Sequence, residues 1–154
     1  MSDRESERDV VVVGVDGSPS SREALEWAMR QAETTGAKVV AVQAWLAPTD
    51  YATGGLLIPE EQWVAEASGS LNAIVSQVAA ARPQVPIEQR VVKGHPVTVL
   101  VDQARGADLL VVGSRGRGGF AGALLGSVSH HVLHRAPCPV AVVRGKADGR
   151  KRTP

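Results

Sequence analysis

Five short strand-like runs, most of them rich in branched apolar residues and separated mostly by segments with helical periodicity, constrain this chain more than any other feature. Val10 to Val15 is one such run, Lys38 to Trp45 a second, Ile87 to Val92 a third, Asp108 to Val112 a fourth and Pro139 to Val143 a fifth. Strands that are apolar at nearly every position are buried on both faces, as in parallel sheets covered by helices. The intervening segments repeat their apolar residues at helical spacing. Ala24, Leu25, Ala28 and Ala32 follow the Ser18-Pro19 start and stop at Gly36; Leu71, Ile74, Val75 and Val78 follow Pro59-Glu60-Glu61. Val97, Leu100, Val101 and Ala104 follow Gly94-His95-Pro96 and stop at Gly106, and a last helix is expected from about Ser127 to Arg135. Ser18 before Pro19 joins a hydroxyl cap to a residue whose missing N–H costs nothing in a first helical turn. The expected fold is therefore α/β: one domain, a doubly wound parallel five-stranded sheet of order 3-2-1-4-5, with helices on both faces.

Composition narrows the classes. A length of 154 residues suits one domain with one substantial core. The 17 basic residues nearly balance the 16 acidic ones, so no charge excess marks a nucleic-acid surface. Only 3% of residues are aromatic, which argues against a base-stacking platform for single strands. The lone Cys138 excludes an internal disulfide and a cysteine-rich zinc module, and suits a reducing compartment. No apolar run approaches the roughly 20 residues of a membrane span. Residues 1–8 and 145–154 are polar and charged; they read as a disordered N-terminal segment and a disordered basic tail around a domain at 9–144.

Chemistry concentrates between the fourth strand and the last helix. Residues 113–127 carry six glycines: Gly113, Gly116, Gly118, Gly119, Gly122 and Gly126. Bare backbone of this kind can turn several N–H groups toward one anion, and the helix starting at Ser127 adds its positive end. Arg115 and Arg117 can add bidentate contacts. A featureless surface loop is the competing reading, but glycine costs about 1 kcal/mol per ordered helical position, so six together favour a phosphate site. The Walker pattern fails because no Lys-Ser or Lys-Thr follows these glycines, and a Rossmann reading lacks the acidic residue expected on the next strand. In a sheet of this order the ends of the first and fourth strands are neighbours, which puts Asp16 across a crevice from the glycines. Asp16 also reads simply as a turn residue that starts a helix.

Gly113-x2-Gly116-x9-Gly126-Ser127 resembles the nucleotide-binding signature of the universal stress protein family. Val13-Gly14-Val15-Asp16-Gly17-Ser18, Gly94-His95-Pro96 and Pro137-Cys138-Pro139-Val140 resemble further landmarks of that family. The resemblance spans residues 9–144 and implies the branch that binds ATP. It implies that Gly14, Val15 and Asp16 meet adenine and ribose, with Ala44 beside the base. Gly113 and Ser114 would meet the ribose or α-phosphate, and Arg115, Gly116, Arg117, Gly126, Ser127 and Val128 the phosphates. It further implies a cytoplasmic regulatory module, Mg²⁺ carried with the nucleotide, and a homodimer paired through the last strand, Pro139 to Val143. No general base is evident, so the expectation is no enzyme, with hydrolysis slow or incidental. The alternatives are a nucleotide-independent or cyclic-AMP-binding interaction scaffold and, more remotely, an adenylyl or phosphoryl transferase.

Other residues carry less. His130 and His134 have a metal-compatible i, i+4 spacing, but His131 stands where the zincin helix needs Glu, so a solvated helix end and no metal site are expected. His95 reads as peripheral, Cys138 as a small buried hydrophobe, and Trp27 and Trp45 as core or interface. Ser114 lacks the first glycine of a GxSxG nucleophile elbow.

Overall fold

A computed structural model describes residues 8–47, 58–115 and 125–145. Its elements are β1 (Val10–Gly14), α1 (Pro19–Thr35), β2 (Lys38–Trp45), α2 (Glu60–Ala79), β3 (Ile87–Lys93), α3 (Pro96–Gln103), β4 (Leu109–Gly113), α4 (Ser127–Arg135) and β5 (Val140–Val143). All neighbouring strands run parallel, in the order β3-β2-β1-β4-β5. This is the doubly wound sheet that the alternating runs require.

Alternation along each strand divides the interior into two layers. Val11, Val13, Val39 and Val111 face α1 and α2, where Leu25, Met29 and Leu71 complete one core. Val12, Val40, Val42, Leu110 and Val112 face the other way, onto Leu100 of α3 and Val132 of α4. Each such side chain, fully buried, contributes about 1.5–3 kcal/mol by leaving water. Both faces of the central strands are thus covered, which explains their unbroken apolar sequence.

Local chemistry sets the element ends. The Ser18 hydroxyl accepts the Ser21 amide at 3.1 Å and caps α1 ahead of Pro19. At the other end Gly36 adopts φ +77°, the left-handed conformation that a side chain resists, and its amide returns to the Ala32 carbonyl at 2.8 Å. β4 starts at Leu109 rather than Asp108 because the Asp108 carboxylate turns back to accept the Val10 amide at 2.8 Å. Pro139 has no N–H to give a ladder; its carbonyl still accepts from Leu110 at 2.9 Å, and β5 proper begins one residue later. β3 extends to Lys93, one residue past the expected end, and α3 stops at Gln103, before Gly106.

Candidate functional site

The ends of β1 and β4 lie side by side, with Val13 opposite Val111 in the ladder. Three serines of the first α1 turn bind the two ends together. Asp16 accepts the Ser18 amide at 2.8 Å, and its own amide donates to the Ser21 hydroxyl at 3.2 Å. Across the gap, the Ser18 hydroxyl donates to the Arg115 carbonyl at 3.4 Å, and the Arg115 amide donates to the Ser20 hydroxyl at 3.2 Å. Residues almost a hundred positions apart therefore share one hydrogen-bonded corner.

Two glycines permit this closeness. A Cβ at Gly113 would sit 2.7 Å from the Ser20 carbonyl carbon and oxygen, so α1 can start here only beside a bare backbone. A Cβ at Gly14 would meet the Leu100 side chain at 2.8 Å. Packing alone demands glycine at Gly113, whatever ligand the backbone meets.

The two flanks of the glycine-rich segment are also joined. The Gly126 amide donates to the Ser114 carbonyl at 2.6 Å, and the buried Ser129 hydroxyl donates to the same carbonyl at 3.1 Å. The Ser114 amide is held by the Val143 carbonyl of β5 at 2.8 Å. The Ser114 side chain is 1% exposed, yet its Oγ has no hydrogen-bond partner among the described residues. Such a group costs about 1–3 kcal/mol unless something satisfies it. Gly126 gives α4 no side-chain cap, in contrast to α1, so the first amides of α4 remain open to an external acceptor.

Between these elements lies a cleft of about 530 Å³, open to solvent, on the α3 and α4 side of the strand ends. Gly14, Val42, Ala44, Leu100 and Val112 make an apolar floor. Asp16, Arg115 and Ser129 bring polar groups to its edge. Of the residues singled out from sequence, Gly14, Val15, Asp16, Ala44, Gly113, Arg115 and Val128 line this cleft. Ser114 and Gly126 are buried beside it, linked backbone to backbone, and Ser127 opens α4. Gly116 and Arg117 lie outside the described residues, as does most of the 46–58 segment.

Six further lining residues were not singled out: Ser21, Val42, Pro96, Leu100, Val112 and Ser129. Leu100 was legible as a buried helix position, but its place over Gly14 depends on where α3 crosses the sheet. Ser129 carried no sequence signal. His95 is exposed at the start of α3 and does not line the cleft. Cys138 is half-buried with its Sγ 3.4 Å from the Pro139 carbonyl. Burial, and then the nearby Asp108 carboxylate, push its thiol pKa up, so the nucleophilic thiolate is disfavoured.

Comparison with known proteins agrees with this architecture. A family model described as the universal stress protein family matches residues 7–144. A universal stress protein of Mycobacterium tuberculosis is 42% identical over 134 residues, which cover 87% of this chain and 45% of that protein. This chain thus spans about half the length of the curated relatives it matches. A universal stress protein crystallised in complex with cAMP is 33% identical, with TM-score 0.64 over 89% of this chain and 97% of that one. The universal stress protein UspA of Lactobacillus plantarum, 24% identical with TM-score 0.74 over 88% of this chain and 97% of that one, shares the fold. From its strand order, its glycine spacing and this match over nearly its whole length, the chain belongs to the universal stress protein family.

Proposed function

We propose that the cleft holds ATP as a regulatory ligand and that the protein responds to nucleotide rather than consuming it. One observation carries this reading: an apolar floor lies between the Asp16 carboxylate and the uncapped start of α4, within a single cleft. A base fits the floor, a carboxylate suits sugar hydroxyls, and open helix amides with the Arg115 side chain suit phosphate. Mg²⁺ would come with the phosphates, because no group of three or more His, Cys, Asp or Glu that could hold a metal occurs among the described residues. This reading gives the Asp16 carboxylate to the sugar, across the apolar floor from the α4 amides that would hold the phosphates, and slow or incidental hydrolysis fits that division. The single cysteine fits work in a reducing cytoplasm.

Calorimetric titration with Mg-ATP tests the reading. The wild-type chain should bind, and Gly126→Glu should fold but lose binding, because its carboxylate blocks and repels phosphate. Nucleotide at 100 times its dissociation constant should also add about 2.7 kcal/mol to stability. No heat and an unchanged melt at millimolar ATP would leave the nucleotide-independent scaffold.

Cyclic AMP is the second reading, supported by the 33% identical relative crystallised with it. A competition titration in which cyclic AMP displaces ATP at lower concentration would favour it. β5 is an edge strand whose four residues are all half-buried, and we propose that it pairs with β5 of a second copy. Light scattering should give twice the chain mass.

A further inference from the structure

We propose that His130 and His134 form a chelating pair for a divalent transition-metal ion of the Zn²⁺, Ni²⁺ or Cu²⁺ class. This site is separate from the cleft and does not rest on the nucleotide reading. Both residues are on α4, four positions apart, and both are exposed. Their rings lie 4.9 Å apart, centroid to centroid, with planes at 70°.

That separation is the one a shared ion needs. A metal about 2.0–2.1 Å from one nitrogen of each ring lies about 3.2 Å from each centroid. The centroids would then be about 4.5 Å apart for a right angle at the metal and about 5.2 Å apart for a tetrahedral one. The observed spacing falls between these values, so the ring centroids already stand at the separation a shared ion requires, and what must change is the direction of the rings about their soft terminal torsions. Neither imidazole has a hydrogen-bond or ion-pair partner among the described residues; the contacts a shared ion would replace are the edge contact between the two rings and that of His130 with His131, whose centroids are 5.6 Å apart. Val132, on the opposite side of α4, is fully buried and fixes the helix to the core, so the pair is presented from a rigid support.

His131 plays no part. Its Nδ1 lies 2.7 Å from the Ser127 carbonyl, and no three potential ligands gather around one point among the described residues. The chain therefore supplies two nitrogens and water supplies the rest of the coordination sphere. Neutral imidazoles suit nitrogen-preferring ions and not Mg²⁺ or Ca²⁺, which take oxygen ligands.

Calorimetric titration of the full chain with zinc chloride and nickel chloride, without nucleotide and in a non-chelating buffer, tests the assignment. One ion per chain should bind, and His130→Ala or His134→Ala should each weaken it by about tenfold or more, as losses around metal ligands do. His131→Ala should leave the affinity unchanged, and magnesium chloride should give no heat. All variants should melt with the wild type when metal is absent, since the positions are exposed; the same zinc concentration should raise the melting temperature of the wild type and of His131→Ala equally, and leave that of the His130→Ala/His134→Ala double change where it was. Absence of zinc and nickel binding by about 1 mM, or binding that survives the His130→Ala/His134→Ala double change, would overturn the proposal.

Discussion

Gly113→Ala and Gly69→Ala add the same methyl group in opposite surroundings and should shift stability in opposite directions. At Gly113 the new carbon would stand 2.5 Å from the Ser20 hydroxyl and 2.7 Å from the Ser20 carbonyl carbon and oxygen. Backbone cannot swing aside as a side-chain tip can, so the start of α1 must move. Overpacking of this kind costs about 1–3 kcal/mol. The shift would also stretch the Arg115–Ser20 and Ser18–Arg115 hydrogen bonds, so the upper part of that range applies. At Gly69, in the middle of α2, nothing lies within 4 Å of the added carbon. There alanine should gain about 0.5–1 kcal/mol through lower backbone entropy in the unfolded chain. With about 2–4 °C per kcal/mol at this size, Gly113→Ala should melt about 4–12 °C lower and Gly69→Ala about 1–4 °C higher than wild type. Urea titrations with equal slopes would show that the shifts are changes in folding free energy and not in the surface exposed on unfolding. A Gly113→Ala protein as stable as wild type, or a Gly69→Ala protein less stable than it, would refute the packing argument.

Two more outcomes follow from the same geometry. Ser18→Ala removes the α1 cap and the bond to the Arg115 carbonyl; it should cost about 1–2 kcal/mol in a denaturant melt, and Ser18→Asp should recover part of the cap. Cys138 should react with iodoacetamide more slowly in the native protein than in urea at the same pH, because burial first and Asp108 second raise its pKa. The sign for stability follows. A thiol pKa raised by folding adds stability that is complete below the unfolded value and is lost as pH rises through the folded one. Asp108→Asn should speed the native reaction modestly, and equal rates in native and unfolded protein would contradict the assignment.

The fold was largely legible because its signals are local. β2 at Lys38–Trp45 and α4 at Ser127–Arg135 have the expected bounds, the first because its middle, Val39 to Val42, is an unbroken buried apolar run, the second because glycine precedes it. Ends shifted by a residue where a long-range partner decided them: Asp108 folds back on Val10, and Pro139 gives its carbonyl but no amide. The site was legible where residues had unusual chemistry, as at Asp16 and Arg115. Val42, Leu100 and Val112 look like any core residue, and only the crossing of α3 over the strand ends makes them a floor. The need for glycine at Gly113 was hidden for the same reason: its steric partner, Ser20, is remote in the chain.

The two rims of the sheet are chemically unlike. β3 closes one side with Glu88 held between Arg90 at 2.6 Å and Lys38 at 3.7 Å, and with Lys93 reaching Glu60 at 3.6 Å. β5 closes the other with Val140-Ala141-Val142-Val143, which carries no charge. A ribbon of copies needs two adhesive rims so that each addition exposes a fresh one. Here a junction made through β5 would leave only ionic borders facing outward, and further growth would find nothing to grip. In the proposed β5 pair, then, both outward rims would be β3, and the charges of Glu88, Arg90 and Lys93 would make each a poor template for a further strand.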